Sequence, residues 1–251
     1  MTDIIAGAEP LSHNGTSPHG VLVLHGFTGN PGSMRGVADA MVAAGFHVEM
    51  PLLPGHGTRV ADMLPTRWAD WSAAADAAYQ RLAARSSKVV VVGLSMGGAL
   101  TLRLGADHPE IAGLVCINPA TQPMPAEMIA MVEGMVAEGT ESMPAIGSDI
   151  ADPDVKESAY EATPLAPLLS LMVDGLAPLA QCYGSMHMPL LLMNSPQDHV
   201  VEPAQAEFLA SSYGGPVERL SLERSYHVAT QDYDRQLIFD EAVAFAHRVC
   251  A

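Results

Sequence analysis

The sequence predicts an α/β protein in which helices flank a mostly parallel central sheet. From residue 20 onward, short apolar segments rich in β-formers alternate with longer helical patterns, as is typical of βα units. The segment 89–93 reads VVVVG, and a strand of four valines can expose neither face to water, so we expect it at the centre of the sheet. Residues 120–186 break the alternation and are expected to form an insertion over the strand ends.

Six segments are predicted as strands because they are short, apolar and bounded by glycine, proline or polar residues. They are 21–26, 47–51, 89–93, 113–119, 189–195 and 218–226. Helical patterns lie between them. They cover about 66–85, 204–212 and 235–249, and a further helix is expected to begin near Pro31 and to end at Gly45.

We expect residues 1–119 and 187–251 to form one α/β core and residues 120–186 to form a cap or lid inserted before the last strands. Within the 251 residues, no linker, repeat or charge block divides the core. The cap is rich in methionine. Three of its methionines are spaced to share one helical face: Met128, Met131 and Met135.

Charge and cysteine content exclude several classes of protein. The net charge of −16 argues against binding to nucleic acid, or to an anionic membrane, through a basic patch. Three widely separated cysteines predict neither a disulfide framework nor a zinc site. The first ten residues lack the pattern of a signal peptide and no long apolar run follows, which predicts a cytoplasmic protein. A monomer or a homodimer is expected.

The motif Gly93-Leu94-Ser95-Met96-Gly97 stands between the valine strand and a helical pattern. A G-x-S-x-G motif in this context places its serine on a sharp, strained turn from strand to helix. The helix that begins at Met96 directs its amides and its positive dipole end toward the serine. We therefore predict that Ser95 is a nucleophile.

A serine hydroxyl is a weak nucleophile at neutral pH and needs a base, which in turn needs a carboxylate to orient it. Asp198 follows the predicted strand 189–195, and His227 follows the predicted strand 218–226, so both are expected at the sheet edge that holds Ser95. His227 is therefore the predicted base. Asp198 is the preferred acid, and Asp232 and Asp234 remain alternatives.

An oxyanion formed during attack on an acyl group needs two amide donors. One is expected from Met96, directly after the predicted nucleophile. The other is expected from Phe27 in the sequence HGFTG, after the first predicted strand. The alternative for Phe27 is a role as a pocket wall alone.

At these residues the sequence resembles the α/β-hydrolase superfamily and, more closely, bacterial monoacylglycerol lipases and related carboxylesterases. The resemblance covers nearly the whole chain. It rests on these segments: GAEP, LHGFTG, PxxPGHGT, GLSMGGALTL, INPA, IGSDI, DVKESAYEATP, DHVV and SYHVAT. It implies the α/β-hydrolase fold, the triad Ser95, Asp198 and His227, and an oxyanion hole formed by the amides of Phe27 and Met96.

The resemblance also implies the substrate. It indicates hydrolysis of a monoacylglycerol to glycerol and a fatty acid, with Glu157 of the cap binding the glycerol hydroxyls and Ile146 lining the pocket. A solvated carboxylate on a helix is the alternative for Glu157. The expected partner is a small lipid ester, which binds as substrate. The apolar cap is expected to contact lipid or membrane surfaces transiently. No metal or organic cofactor is expected.

Three other functions remain open at this point. A general carboxylesterase would prefer short acyl chains. The same triad could cleave a lactone or a C–C bond, since a fold does not determine its substrate. A ligand receptor could be built on the same scaffold. A haloalkane dehalogenase is excluded because residue 95 is serine rather than aspartate.

Overall fold

A seven-stranded sheet forms the centre of the protein in the computed structural model, which describes residues 3–251. Its spatial order is β1-β3-β2-β4-β5-β8-β9, with β1 antiparallel to β3 and the following pairs parallel. A separate antiparallel pair is formed by β6 and β7. The strands are β1 Leu11–His13, β2 Gly20–Leu24, β3 His47–Met50, β4 Val89–Leu94, β5 Gly113–Ile117, β6 Ser142–Pro144, β7 Ala162–Pro164, β8 Leu190–Asn194 and β9 Val217–Ser221.

The α-helices lie mostly between the parallel strands, as the crossover connections of a parallel sheet require. They are α1 Arg35–Ala43, α2 Val60–Met63, α3 Trp68–Ala83, α4 Met96–Asp107, α5 Ala126–Ala137, α6 Leu165–Ser170, α7 Ala177–Leu179, α8 Ala204–Ser212 and α9 Arg235–Cys250. A π-helical turn, Leu171–Leu176, joins α6 to α7. The predicted architecture, a mostly parallel sheet flanked by helices, is confirmed.

The central strand β4 contributes to the apolar core on both faces of the sheet. Val89 and Val91 pack on the side covered by α3 and α4, and Val90 and Val92 pack on the side covered by α1 and α9. All six residues of β4 are buried. The expectation that this strand exposes neither face is therefore confirmed, and the strand is a rigid support for the residue that follows it.

The last strand is shorter than its sequence pattern predicts. The pattern indicated a strand over 218–226, whereas β9 ends at Ser221. The carboxylate of Asp234 accepts hydrogen bonds from the amide of Arg224 and the hydroxyl of Ser225, which stabilises a turn there. His227 therefore lies on a loop beyond the sheet rather than directly at a strand end.

The segment 120–186 contains two parts with different packing. Helix α5 is largely exposed, and Val132 is its buried residue. The later part, by contrast, contributes Leu171, Leu176, Leu179 and Tyr183 to the same apolar core as α3 and α4. This later part also forms the connection between the parallel strands β5 and β8. The hairpin β6–β7, which the sequence analysis did not predict, lies between the two parts.

No helix within residues 3–251 is long and apolar enough to cross a membrane.

Candidate active site

Ser95 occupies the sharp turn between β4 and α4 that its motif predicts. Its φ of 58° and ψ of −119° lie in a region that residues with a Cβ atom rarely adopt. Backbone hydrogen bonds on both sides hold the turn: the Ser95 amide donates to Ile117, and the Ser95 carbonyl accepts from Ala99 and Ala120. The strained conformation is thus maintained by the strand and helix around it, as expected for a serine held in a reactive position.

The two glycines of the motif are required by close packing. A Cβ atom on Gly93 would lie 2.1 Å from the carbonyl oxygen of Gly97, and a Cβ atom on Gly97 would lie 2.2 Å from the carbonyl oxygen of Leu24. Neither backbone oxygen can move without breaking the turn or the neighbouring strand β2. Glycine at these two positions lets α4 begin directly against the sheet, with Ser95 at the strand end.

The side chains of Asp198 and His227 meet at the same edge of the sheet. Since β4, β8 and β9 are parallel, their carboxyl ends lie at one edge of the sheet, and the loops that follow β8 and β9 bring the two residues together. Nδ1 of His227 lies 2.7 Å from Oδ2 of Asp198, whose side chain is 2% exposed. Oδ1 of Asp198 accepts hydrogen bonds of 2.8 Å from the amides of Val200 and Val201. The carboxylate is therefore fixed before it contacts the ring.

This arrangement determines which nitrogen of His227 can act as a base. A carboxylate accepts hydrogen bonds only, so Nδ1 carries the proton and Nε2 presents its lone pair. Ser95 and His227 both line one cavity, although no hydrogen bond joins their side chains among the described residues. Hydrogen bonds of this kind are often long before substrate binds.

The two alternative acids have other partners. Both oxygens of Asp232 accept backbone amides, including those of Ala151 and Tyr226. Asp234 holds the turn at Arg224 and Ser225 as described above. Among the three acidic candidates, Asp198 is the one whose carboxylate contacts the His227 ring.

Other histidines near this edge are engaged elsewhere. The ring of His199 pairs with Asp149 at 2.8 Å. His25, directly after β2, and His56, in the loop after β3, are both buried, and burial lowers the pKa of His25 to about 3 and that of His56 to about 4. Both rings are therefore neutral near pH 7.

The amides of Phe27 and Met96 satisfy one requirement for an oxyanion hole. Within residues 3–251, neither amide donates a hydrogen bond to another group of the protein. Met96 is the first residue of α4, so its amide is one of the donors that a helix leaves unpaired. The ring of Phe27 packs edge to face with Trp71, at 5.6 Å between centroids. This packing fixes the loop that carries the Phe27 amide.

The cavity has a volume of about 280 Å³ and is lined by Ser95 and by residues of the segment 120–186. Its walls are mostly apolar. Glu157 and Ile146, which the resemblance placed here, both line it, but they differ in depth. Ile146 is 71% exposed and stands at the mouth. The carboxylate of Glu157 lies inside, where burial raises its pKa, and the His227 ring opposes that shift.

Asn118 is a residue at this site that the sequence analysis did not single out. It follows β5 with a φ of 42°, in the left-handed region. Its Nδ2 group donates to the carbonyl oxygens of His227 and Tyr226, at 2.8 and 3.2 Å, and its Oδ1 accepts from the amide of Ser195 at 2.7 Å. It therefore connects the loops that carry Asp198 and His227. Its sequence signal is a polar residue directly after a buried strand.

Most of the chain matches a known family. Residues 16–234 match the Hydrolase_4 family, described as serine aminopeptidase, S33. This is an α/β-hydrolase family, and the match covers well over half of the chain. The chain belongs to this family. The resemblance that the motifs indicated is confirmed.

Individual relatives agree with this membership. The chain is 42% identical to a thermostable monoacylglycerol lipase of Bacillus sp. (strain H-257), over 96% of this chain and 95% of that protein. It is 25% identical to a carboxylesterase of Bacillus subtilis (strain 168), over 91% and 92%. A solved structure from work on LipS and LipT, two metagenome-derived lipolytic enzymes, is 40% identical, with a TM-score of 0.92 over 98% of this chain and 100% of that chain.

Proposed function

We propose that this family member hydrolyses carboxylic esters through a covalent acyl-enzyme on Ser95, and that its substrates are monoacylglycerols. The observation that carries the proposal is the Asp198–His227 pair, which faces a single apolar cavity shared with Ser95. A fixed tautomer beside a strained serine is the arrangement that activates a hydroxyl.

In the first half of the reaction, Nε2 of His227 accepts the Ser95 proton while Oγ attacks the ester carbonyl. The carbonyl π electrons move to the oxygen, and the amides of Phe27 and Met96 stabilise the resulting oxyanion. The tetrahedral intermediate then collapses, the bond to glycerol breaks, and the imidazolium of His227 protonates the departing alkoxide. Ser95 is left as an ester of the fatty acid.

In the second half, water takes the place of glycerol. His227 accepts a proton from water, the hydroxide oxygen attacks the acyl carbon, and the same amides stabilise the second oxyanion. Collapse breaks the bond to Oγ, and His227 returns its proton to Ser95. The products are one fatty acid and one glycerol for each ester and each water consumed.

Two features of the cavity support a monoacylglycerol as the substrate. Much of the cavity wall is aliphatic and suits an acyl chain: it includes Met124, Leu168, Leu171, Met172 and Leu176. Near Ser95, the carboxylate of Glu157 has no hydrogen bond to another side chain among the described residues, so it is available to accept bonds from glycerol hydroxyls. The 42% identical relative, which is named a monoacylglycerol lipase, adds to this support.

The test is a substrate series with matched acyl chains. We expect kcat/KM for a monoacylglycerol to exceed that for the corresponding di- and triacylglycerols by about tenfold or more, because the second and third chains have no space under the cap. Equal turnover of all three glycerides would contradict the proposal.

A general carboxylesterase is the second candidate, because the 25% identical relative carries that name. The two candidates differ in their response to chain length. For a monoacylglycerol lipase, kcat/KM should rise as p-nitrophenyl esters are lengthened from acetate to decanoate, since each added methylene is buried. A steady decrease would favour the carboxylesterase.

We also propose that the cap contacts lipid surfaces. The segment 120–186 carries exposed apolar side chains: Ile146, which lines the cavity, is 71% exposed, and Met131, on α5, is 58% exposed. A net charge of −16 opposes binding to anionic lipid, so the contact is expected to be apolar. Flotation with zwitterionic phosphatidylcholine vesicles tests it.

The variant for this test is Met131→Glu, and the matched control is Leu237→Glu on α9, another exposed apolar position. We expect Met131→Glu to reduce the vesicle-bound fraction and Leu237→Glu to leave it unchanged. Equal binding by both variants would contradict the lipid contact. The cytoplasmic location, the oligomeric state and the cap boundaries at 120–186 stay predictions.

A further inference from the structure

Asp149 of the cap is bound to both loops that carry the proposed acid and base. Its Oδ2 accepts a hydrogen bond from the amide of His227 at 3.0 Å and from the amide of His199 at 3.1 Å. Its Oδ1 lies 2.8 Å from Nδ1 of the His199 ring. Its carbonyl oxygen accepts the amide of Val228. One buried side chain of the cap thus fixes the backbone of His227.

A second carboxylate, on the His227 side, binds the cap in return. The carboxylate of Asp232, which lies just beyond the His227 loop, accepts the amides of Ala151 and Asp152 in the cap, at 2.7 and 3.1 Å. The same carboxylate also accepts the amide of Tyr226 at 2.9 Å. Two buried carboxylates therefore join the cap segment 149–152 to the loop that carries His227. If either carboxylate moved away, several backbone amides would lose their hydrogen-bond acceptor.

We propose that Asp149 is a positioning residue for His227, acting both through the hydrogen bond to the His227 amide and through its negative charge. The inference rests on the proposed function, because it concerns the base of that reaction. A small displacement of the imidazole relative to Ser95 reduces the rate sharply, since attack requires close alignment of the reacting atoms. The charge of Asp149 also favours the imidazolium that forms during attack.

The surroundings of His227 are consistent with an effect of that charge. Asp149 lines the cavity beside His227. Burial is the main cause that raises the pKa of Glu157, and the negative charge of Asp149 adds to the rise, so this charge acts inside the cavity. The titratable groups that face His227 are Asp198 from the loop after β8, and Asp149 and Glu157 from the cap. His199 faces Asp149 from its other side.

Two substitutions separate the charge from the hydrogen bonds. Asp149→Asn keeps an oxygen that can accept the amides of His199 and His227, and it removes the charge. Asp149→Ala removes both. The matched control is Asp154→Asn, because Asp154 is an exposed carboxylate of the cap, five residues after Asp149.

The experiment measures kcat, KM and the pH profile of kcat/KM on a monoacylglycerol, with the melting temperature of each full-length variant. For Asp149→Asn we expect a several-fold lower kcat, a KM within about threefold of wild type, and an acidic limb displaced to lower pH, because the imidazolium loses a nearby negative charge. For Asp149→Ala we expect kcat to fall by about tenfold to a hundredfold. Asp154→Asn should match wild type.

The positioning role is overturned if Asp149→Asn has the wild-type kcat and an unshifted acidic limb, whatever its melting temperature. That result would leave Asp149 a purely structural tie between cap and core. Ser95→Ala, measured alongside, separates a failure of the proposed function from a failure of the role of Asp149. If Ser95→Ala retains turnover, the proposed function itself is wrong. If Ser95→Ala is inactive and Asp149→Asn is unchanged, only the role of Asp149 is wrong.

Discussion

Oδ2 of Asp198 accepts a hydrogen bond from Nδ1 of His227 over 2.7 Å, and the other oxygen of the same carboxylate is held by two backbone amides. The bond joins loops that follow two different strands, β8 and β9. It places the proton of the neutral imidazole on the side away from Ser95. The tautomer of His227 that can accept the Ser95 proton is therefore set by this contact.

The first prediction concerns this contact. Asp198→Asn should lower kcat by about 10⁴-fold, because an amide in this place favours the wrong tautomer of His227 while it preserves the shape of the site. Steady-state kinetics on a monoacylglycerol measures the effect. Asp234→Asn is the control, because Asp234 is a buried carboxylate near the same loop and holds the turn at Arg224 rather than the ring. Equal losses in both variants would contradict the assignment of Asp198.

The second prediction concerns Asn118, which links the loops of Asp198 and His227. Removing its side chain leaves the amide of Ser195 and the carbonyl oxygen of His227 without their partner. We expect Asn118→Gly to lower the free energy of unfolding by about 2 kcal/mol. Asn118→Ala should lose about 1 kcal/mol more, because alanine disfavours a φ of 42°. Urea denaturation compares the two variants, and identical stabilities would contradict the role of backbone strain.

The third prediction concerns acid stability. Burial lowers the pKa of His25 to about 3 and of His56 to about 4, below the unfolded value near 6.5. Between these values the unfolded chain binds more protons than the folded chain. The contribution of the two histidines to the free energy of unfolding is therefore fully present above pH 6.5, and it is lost as the pH falls toward their folded pKa values. Each histidine contributes a slope of up to about 1.4 kcal/mol per pH unit.

A substitution isolates one of these histidines. His56→Asn keeps a donor for the carbonyl oxygen of Pro54 and removes the titrating ring. The slope of the free energy of unfolding against pH should therefore decrease by the contribution of one histidine. His187→Asn, at an exposed histidine, is the control and should keep the wild-type slope. Urea denaturation from pH 4 to pH 7 measures both. An unchanged slope in His56→Asn would show that another group causes the acid sensitivity.

The fourth prediction concerns Glu157, whose pKa burial raises. Between the unfolded value and this raised pKa, the folded chain binds more protons than the unfolded chain, so stability falls as the pH rises through that window. Glu157→Gln should therefore be more stable than wild type near pH 7, and the difference should disappear in acid. Its kcat/KM for a monoacylglycerol should fall by about tenfold, because a charged acceptor of the glycerol hydroxyls is lost.

The controls for Glu157 use a second glutamate and a second substrate. Glu161→Gln changes an exposed glutamate four residues after Glu157 and should alter neither stability nor kinetics. p-Nitrophenyl esters lack glycerol, so their hydrolysis by Glu157→Gln should stay close to wild type. If Glu157→Gln loses activity equally on both substrates, Glu157 does not bind the glycerol group.

The parts of the fold that the sequence predicted are those with a local signal. The four valines of β4 need burial on both faces, so they indicate the central strand without further information. Gly93 and Gly97 indicate a turn in which no Cβ atom fits, and that turn places Ser95. Each of these conclusions depends on residues that are neighbours in the chain.

The parts that the sequence did not predict depend on distant contacts. Asn118 and His227 are 109 positions apart, and Asp149 and His227 are 78 apart, so neither hydrogen bond leaves a pattern in one sequence. The end of β9 is likewise set by Asp234, which lies after it. The hairpin β6–β7 has strands of three residues, too short for an alternating pattern to be recognised.

The most direct test of the account is the hydrolysis of a monoacylglycerol by Ser95→Ala, with folding verified by its melting temperature. The account predicts that turnover falls by about 10⁶-fold, to near background, and that a fluorophosphonate probe labels the wild type and not the variant. Turnover by folded Ser95→Ala at a rate comparable to wild type would contradict it.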